Sequence, residues 1–161
     1  MHLTITGYST ALFSTWYFIE EWGILFDAGE GLISTLLQKS RKIDQVFISH
    51  ADRDHITGLL QFNQLNARPG FPVIHYPKDS GSFPALEAFS KTFDPQVART
   101  VWTPVTHGDE ISIAKDLLVK PLRGIQIFNE QGDCANRPRP CTHQLLSRHF
   151  ELPISARSSD S

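Results

Sequence analysis

Apolar and polar positions in the first thirty residues follow the pattern of β-strands. The segment 3–31 is rich in Thr, Ile, Tyr, Trp and Phe, which pack well on a pleated, half-buried surface. We predict a strand, a loop and then two strands that turn near Glu21-Trp22-Gly23.

Apolar residues spaced three and four apart predict three helices further along the chain. The residues that mark their apolar faces are Leu32, Ile33, Leu36 and Leu37, then Ile56, Leu59, Leu60 and Phe62, and finally Leu86, Phe89 and Phe93. Pro69-Gly70 is expected to end the second helix.

Short strands are predicted between and after these helices. Residues 44–50 contain the apolar run Val46, Phe47 and Ile48, and residues 72–76 read "PVIHY". The segment 98–123 alternates enough for two or three strands, with Gly108-Asp109 as a hairpin turn. The order of elements predicts an α/β (α+β) fold with helices on one face of a sheet and a second sheet packed on the other.

The character of the chain changes after about residue 128. The last segment has many prolines, arginines and serines and little periodicity. We therefore divide the chain into a domain at 1–128 and an irregular, disordered tail at 129–161. The tail is either a flexible extension or a segment foreign to the fold, for example after a lost reading frame, and both interpretations stay open.

Composition narrows the class of protein. The 161 residues are 40% hydrophobic and 20% charged, which suits about one globular domain. A formal net charge of −2 predicts no nonspecific attraction to nucleic acid or anionic membranes. We expect a soluble, cytoplasmic protein, because the N-terminus lacks a signal pattern and no apolar run approaches the roughly 18 residues of a membrane span. Cys134 and Cys141 are expected to be free thiols.

Four candidate metal ligands are crowded into one short stretch, "FISHADRDHITGLL" at 47–60. They are His50, Asp52, Asp54 and His55. Imidazole nitrogens and carboxylate oxygens bind zinc, iron or manganese, and side chains at a strand end can converge on one site. The alternative is a polar turn in which Asp52 or Asp54 caps the following helix.

Two motifs carry a resemblance to a known family. "ISHADRDHITGLL" resembles the metal-binding motif of the metallo-β-lactamase superfamily, His-x-His-x-Asp-His before a Gly-Leu helix. "GILFDAGEG" resembles the segment that precedes this motif in tRNase Z-like (ribonuclease Z-like) members. The resemblance covers residues 3–123. It implies the N-terminal half of an αββα sandwich.

The resemblance also implies roles for individual residues. His50 would bind a first metal ion, and Asp54 and His55 a second, with Asp54 also orienting or deprotonating the attacking water. Asp27 would orient the ligands from beneath. Without the resemblance, a turn-forming Asp beside Gly29 explains this residue equally well. Asp52 replaces the His of most members. A similar His-x-Asp-x-Asp-His pattern occurs in the DNA-uptake nuclease branch, and a carboxylate would favour harder ions such as manganese.

The implied function is metal-dependent hydrolysis of a phosphodiester, with RNA or a small phosphodiester as substrate and one or two zinc or manganese ions as cofactor. The alternatives are an inactive fragment that lacks the later ligands, or a hydrolase of another ester, thioester or lactam. A homodimer is a further expectation. Of the other histidines, we expect His75 to be a core or surface residue and His107 to be exposed, and we do not assign His143 and His149 as ligands.

Overall fold

Two units make up the chain, Met1–Thr106 and His107–Ser161. The computed structural model describes residues 2–114 and 117–122. Within these residues the first unit contains a six-stranded sheet, and the second contains a two-stranded antiparallel sheet of β7 (Ile111–Ala114) and β8 (Leu117–Val119). None of the helices in the described part is long and apolar enough to cross a membrane.

The six strands lie side by side in chain order. They are β1 (Ile5–Thr10), β2 (Ser14–Ile19), β3 (Ile24–Phe26), β4 (Gln45–Phe47), β5 (Val73–Pro77) and β6 (Val101–Val105). The pairs β1–β2 and β2–β3 are antiparallel, and the remaining pairs are parallel. Parallel neighbours need crossover connections, and the connections from β3 to β4, from β4 to β5 and from β5 to β6 all contain helices.

The connections carry four described α-helices and three 3-10 helices. The α-helices are α1 (Leu32–Leu36), α2 (Arg53–Ile56), α3 (Leu59–Asn66) and α4 (Ser82–Phe93). The 3-10 helices are Glu20–Trp22, Leu37–Lys42 and Pro95–Arg99. Buried side chains from the sheet and from three of the α-helices form one core cluster, which includes Trp16, Phe18, Leu25, Val46, Ile74, Leu32, Leu36, Leu59, Phe62 and Phe83.

The predicted mixed α/β class is confirmed, and so is the predicted order of strand, loop and two strands in the first 26 residues. The predicted strands at 44–50 and 72–76 correspond to β4 and β5. The domain boundary predicted at residue 128 and the tail 129–161 lie outside the described residues.

Several predicted helix faces are wrong in detail. The second predicted helix is two helices, α2 and α3, separated at Thr57 and Gly58. Leu37 is 66% exposed because its φ of 48° ends α1 and turns the chain into a 3-10 helix. Phe89 and Phe93 are also exposed, and they stack on each other with ring centroids 5.5 Å apart.

The hairpin predicted at Gly108-Asp109 is wrong as well. The strand before this turn, β6, pairs with β5, and the strand after it, β7, pairs with β8. Alternation along one strand fixes which side chains are buried but not which neighbour the strand pairs with. The turn therefore joins strands of two different sheets.

Candidate metal centre

The candidate site lies where two neighbouring parallel strands end. Asp27 directly follows β3, and Ile48, Ser49 and His50 follow β4. The backbone N–H of Asp27 donates to the carbonyl of Phe47 at 2.8 Å. Because β3 and β4 are parallel, both chains leave the sheet at the same edge, and their side chains can meet there.

Backbone contacts fix the loop after β3 against α2. The N–H of Ala28 donates to the carbonyl of His55, and the N–H of Gly58 donates to the carbonyl of Ala28, both at 2.7 Å. A Cβ atom at Gly58 would lie 2.3 Å from the carbonyl oxygen of Gly29, and a Cβ at Gly29 would lie 2.4 Å from that of Asp54. The two segments approach this closely because both positions are glycines.

Asp27 is buried and holds neighbouring groups through both carboxylate oxygens. Its Oδ1 accepts from the backbone N–H of Ser49 at 2.8 Å and from the Ser49 hydroxyl at 2.9 Å. Its Oδ2 lies 2.8 Å from Nδ1 of His55. Its φ of 56° is uncommon for a residue other than glycine. The carboxylate thus links β4, through Ser49, with α2, through His55, while the backbone of Asp27 makes a turn.

The two histidine rings lie against each other, with centroids 3.9 Å apart. Nδ1 of His50 lies 2.8 Å from the Ser49 hydroxyl, and Nε2 of His50 lies 3.4 Å from Oδ2 of Asp52. In the same way, Nε2 of His55 lies 3.4 Å from Oδ2 of Asp54. Each imidazole therefore has its Nδ1 held by the protein and its Nε2 beside a carboxylate.

Asp52 does not cap α2 through its side chain, which was the alternative to metal binding. This residue is at the N-cap position of α2, but its side chain makes no capping hydrogen bond within the described chain. The Asp52 side chain is instead 52% exposed and faces His50. Asp54 lies in the first turn of α2, and its side chain is 7% exposed.

The site is rich in negative charge. Burial works to lower the pKa of His55, but the hydrogen bond to Asp27 and the carboxylates of Asp27, Asp54 and Asp52 outweigh burial and raise that pKa. A buried imidazole among carboxylates favours a bound positive charge, either a proton or a cation. The electrostatics therefore suit a cation site.

The atom types and spacing within each His–Asp pair suit two ligands of one divalent ion. Tetrahedral bonds of about 2.1 Å separate two ligand atoms by about 3.4 Å, which is the Nε2-to-Oδ2 distance in both His–Asp pairs. Within residues 2–114 and 117–122, however, no group of three or more His, Cys, Asp or Glu side chains could hold a metal ion. The described residues thus provide two donor pairs. The metal-binding roles of His50, Asp52, Asp54 and His55 stay predictions.

Ser49 was missed by the sequence analysis. Its hydroxyl lies within hydrogen-bonding distance of both oxygens of Asp27, Nδ1 of His50 and, at 3.3 Å, Nδ1 of His55. The available signal was its position, since it is the last residue of an apolar run and directly precedes His50.

The other histidines do not join this cluster in the described structure. His75 is buried on β5. Its Nε2–H donates to Oε1 of Gln45 at 2.8 Å, and its ring stacks on Phe47. Burial lowers the pKa of His75 to about 4. The core position allowed for His75 is confirmed, and His107 is exposed as predicted. His143, His149 and both cysteines lie outside the described residues.

One solved structure shares this fold, and a second is less similar. The metallo-beta-lactamase fold protein YhfI from Bacillus subtilis is 19% identical and superposes with a TM-score of 0.53, over 78% of this chain and 54% of that one. Zn(2+)-bound PqqB from Methylobacterium extorquens is 15% identical, with a TM-score of 0.48, over 74% of this chain and 41% of that one. The chain thus spans about half the length of these proteins.

Sequence comparison adds the family. No curated protein matches the chain significantly. The sequence profile of the family described as "Beta-lactamase superfamily domain" matches residues 23–135, which is well over half of the chain and includes both Asp27 and the His50–His55 cluster. The likeness to the fold of YhfI agrees with this match. The chain belongs to the beta-lactamase superfamily domain family.

Proposed function

We propose that this chain contributes a divalent-metal site to a hydrolase of the metallo-β-lactamase superfamily, whose members are generally metal-dependent hydrolases. One observation carries the proposal. Two imidazoles are each anchored through Nδ1 and each present Nε2 at 3.4 Å from a carboxylate oxygen. Ligating histidines typically have their second nitrogen held in this way.

The two donor pairs correspond to two ion positions. His50 and Asp52 would hold one ion, and Asp54 and His55 the other, with zinc or manganese as the candidates. A bound ion would supply acidified water and charge stabilisation in the transition state. The described residues provide two protein ligands for each position, so further ligands would have to come from outside the described residues.

Asp54 is the proposed proton acceptor. Its side chain is almost fully buried, and its place in the first turn of α2 is fixed by the backbone bond from Ala28 to His55. A carboxylate in this position can orient a water molecule and take its proton through Oδ1 or Oδ2. Asp27 acts through His55 and Ser49, so its proposed role is to position ligands.

The proposed substrate is a phosphodiester, with RNA or a small phosphodiester as the candidates and a tRNase Z-like activity as the specific expectation. The support is the likeness of "GILFDAGEG" at residues 23–31 to tRNase Z-like members. The fold alone supports hydrolysis of other esters, thioesters or lactams equally well. A substrate panel with one member of each class separates these activities.

The deciding experiment measures metal content and turnover together. The purified chain is analysed for bound metal, and hydrolysis of bis-p-nitrophenyl phosphate is then measured with zinc or manganese added. We expect bound metal and turnover in the wild type, with turnover lost in Asp54→Ala and Asp54→Asn. Asp79→Asn is a matched control, because Asp79 is an exposed carboxylate in a turn after β5.

A non-catalytic module is the second candidate. It is favoured by the finding that the described residues contain no group of three or more potential ligands able to hold an ion. A chain that retains no zinc or manganese and has no turnover, while still showing cooperative unfolding, would support this candidate and contradict the hydrolase proposal.

A further inference from the structure

We infer that Ser49 sets the tautomer of His50, fixing its proton on Nδ1 so that Nε2 keeps a lone pair for a ligand. This inference rests on the proposed metal site for its purpose, but the tautomer itself is a property of the metal-free chain. Ser49 is 3% exposed, and its hydroxyl lies between the carboxylate of Asp27 and the ring of His50.

Counting protons fixes the direction of these hydrogen bonds. A serine hydroxyl has one proton to donate, and a carboxylate only accepts. The Ser49 oxygen lies 2.9 and 3.0 Å from the two oxygens of Asp27. If the hydroxyl proton pointed at His50 instead, lone pairs of the Ser49 oxygen would face the carboxylate at these short distances. The charge-assisted bond from Ser49 to Asp27 is the stronger arrangement.

The hydroxyl oxygen is then an acceptor towards His50. At 2.8 Å from this oxygen, Nδ1 of His50 must be the donor. In a neutral imidazole the other nitrogen then has no proton. The 3.4 Å between Nε2 of His50 and Oδ2 of Asp52 is longer than an ordinary N–H···O hydrogen bond, so the shorter contact with Ser49 decides the tautomer. Nε2 then carries the lone pair.

The same logic applies to His55 through a different partner. Its Nδ1 lies 2.8 Å from Oδ2 of Asp27, which again assigns the proton to Nδ1. Asp27 thus acts on His55 directly and on His50 through Ser49. One carboxylate sets the proton position on both imidazoles, and Ser49 is the positioning residue that extends its influence to His50.

Nitrogen NMR of the metal-free chain tests the tautomer. Long-range ¹H–¹⁵N correlations at about pH 8.5, well above the ordinary histidine pKa of about 6.5, distinguish a protonated ring nitrogen from one with a lone pair. The His50 signals are identified by their absence in His50→Gln. We expect the Nδ1–H form in the wild type and in Ser49→Thr, which keeps the hydroxyl. In Ser49→Ala we expect a shift to the Nε2–H form that predominates in isolated histidine.

Metal affinity provides the second measurement. Titration calorimetry with Zn²⁺ alone and with Mn²⁺ alone should show binding weakened about 10–100-fold in Ser49→Ala and largely restored in Ser49→Thr. A wild-type chain with His50 in the Nε2–H form, or a Ser49→Ala variant with unchanged tautomer, overturns the inference. If the wild type has the Nδ1–H form but binds neither ion, the tautomer assignment stands and the proposed function fails.

Discussion

Asp27 and His55 are 28 positions apart in the chain, and Oδ2 of Asp27 lies 2.8 Å from Nδ1 of His55. This contact connects the end of β3 with α2. It orients one candidate ligand, and through Ser49 the same carboxylate reaches the other imidazole. The family motif around His50 therefore depends on a residue outside the motif.

Replacing Asp27 by Asn should weaken both the fold and ion binding. An amide cannot accept from Ser49 and from His55 through both of its polar atoms, so one buried donor loses its partner, at a cost of about 1–3 kcal/mol in the free energy of unfolding. Affinity for Zn²⁺ should fall about 10–100-fold. Urea denaturation and calorimetry measure these changes, with Asp79→Asn as the control. Equal stability and affinity in the two variants would contradict the role of Asp27.

Replacing Gly58 by Ala should destabilise the chain by about 1–3 kcal/mol. The added Cβ would lie 2.3 Å from the carbonyl oxygen of Gly29, and backbone on both sides must shift to relieve the clash. Gly81→Ala is the matched control, because a Cβ at Gly81 meets nothing within 4 Å and its φ is −67°. That variant should stay within about 0.5 kcal/mol of the wild type. Similar melting curves for both alanine variants would refute the close approach.

The phenylalanines of α4 should differ sharply in their contribution to stability. Phe83 is fully buried in the core cluster, and Phe83→Ala should cost about 3–5 kcal/mol. Phe93 is 62% exposed on the same helix, so Phe93→Ala should cost less than about 1 kcal/mol. Chemical denaturation of the two variants measures the difference. A larger loss at Phe93 than at Phe83 would mean that the assigned faces of α4 are reversed.

Stability should decrease as the pH falls from about 6.5 to about 4 because of His75. Burial lowers the pKa of His75 to about 4, whereas the unfolded chain takes up this proton near the ordinary value of about 6.5. The unfolded state therefore binds more protons in this window, and the free energy of unfolding falls by up to about 1.4 kcal/mol per pH unit.

The variant His75→Gln isolates this contribution. It keeps a polar group near Gln45 but cannot titrate in this range. Urea denaturation at several pH values between about 6.5 and 5 should give a shallower decline in the variant than in the wild type. Parallel declines would show that His75 is not the group responsible.

The elements of the fold were predictable where the signal was local. The β-branched and aromatic residues of β2 and the apolar run of β4 were sufficient to place these strands. The break between α2 and α3 was not predictable, since the turn at Gly58 packs against the backbone of Gly29, a contact between residues far apart in sequence. The exposure of Leu37 likewise depends on a positive φ that its neighbours in sequence do not indicate.

Some residues of the candidate site were predictable from the sequence, and one was not. His50, Asp52, Asp54 and His55 attracted attention because their residue types are crowded together, and the structure places their side chains near one another in two His–Asp pairs. Ser49 escaped notice because a single serine at a strand end is ordinary. Its part in the cluster is visible only through distances to groups on two other segments.

The main-chain hydrogen bonds that tie Ala28 to His55 and Gly58 involve no side-chain atoms. This main-chain part of the support beneath the candidate ligands is therefore independent of the side chains that it presents. An exchange such as Asp52→His, at a side chain that is half exposed, changes the ligand atom available to an ion. It leaves the main-chain hydrogen bonds of Ala28 unchanged. Main-chain support of this kind allows the side chains at the site to change while the surrounding fold is kept.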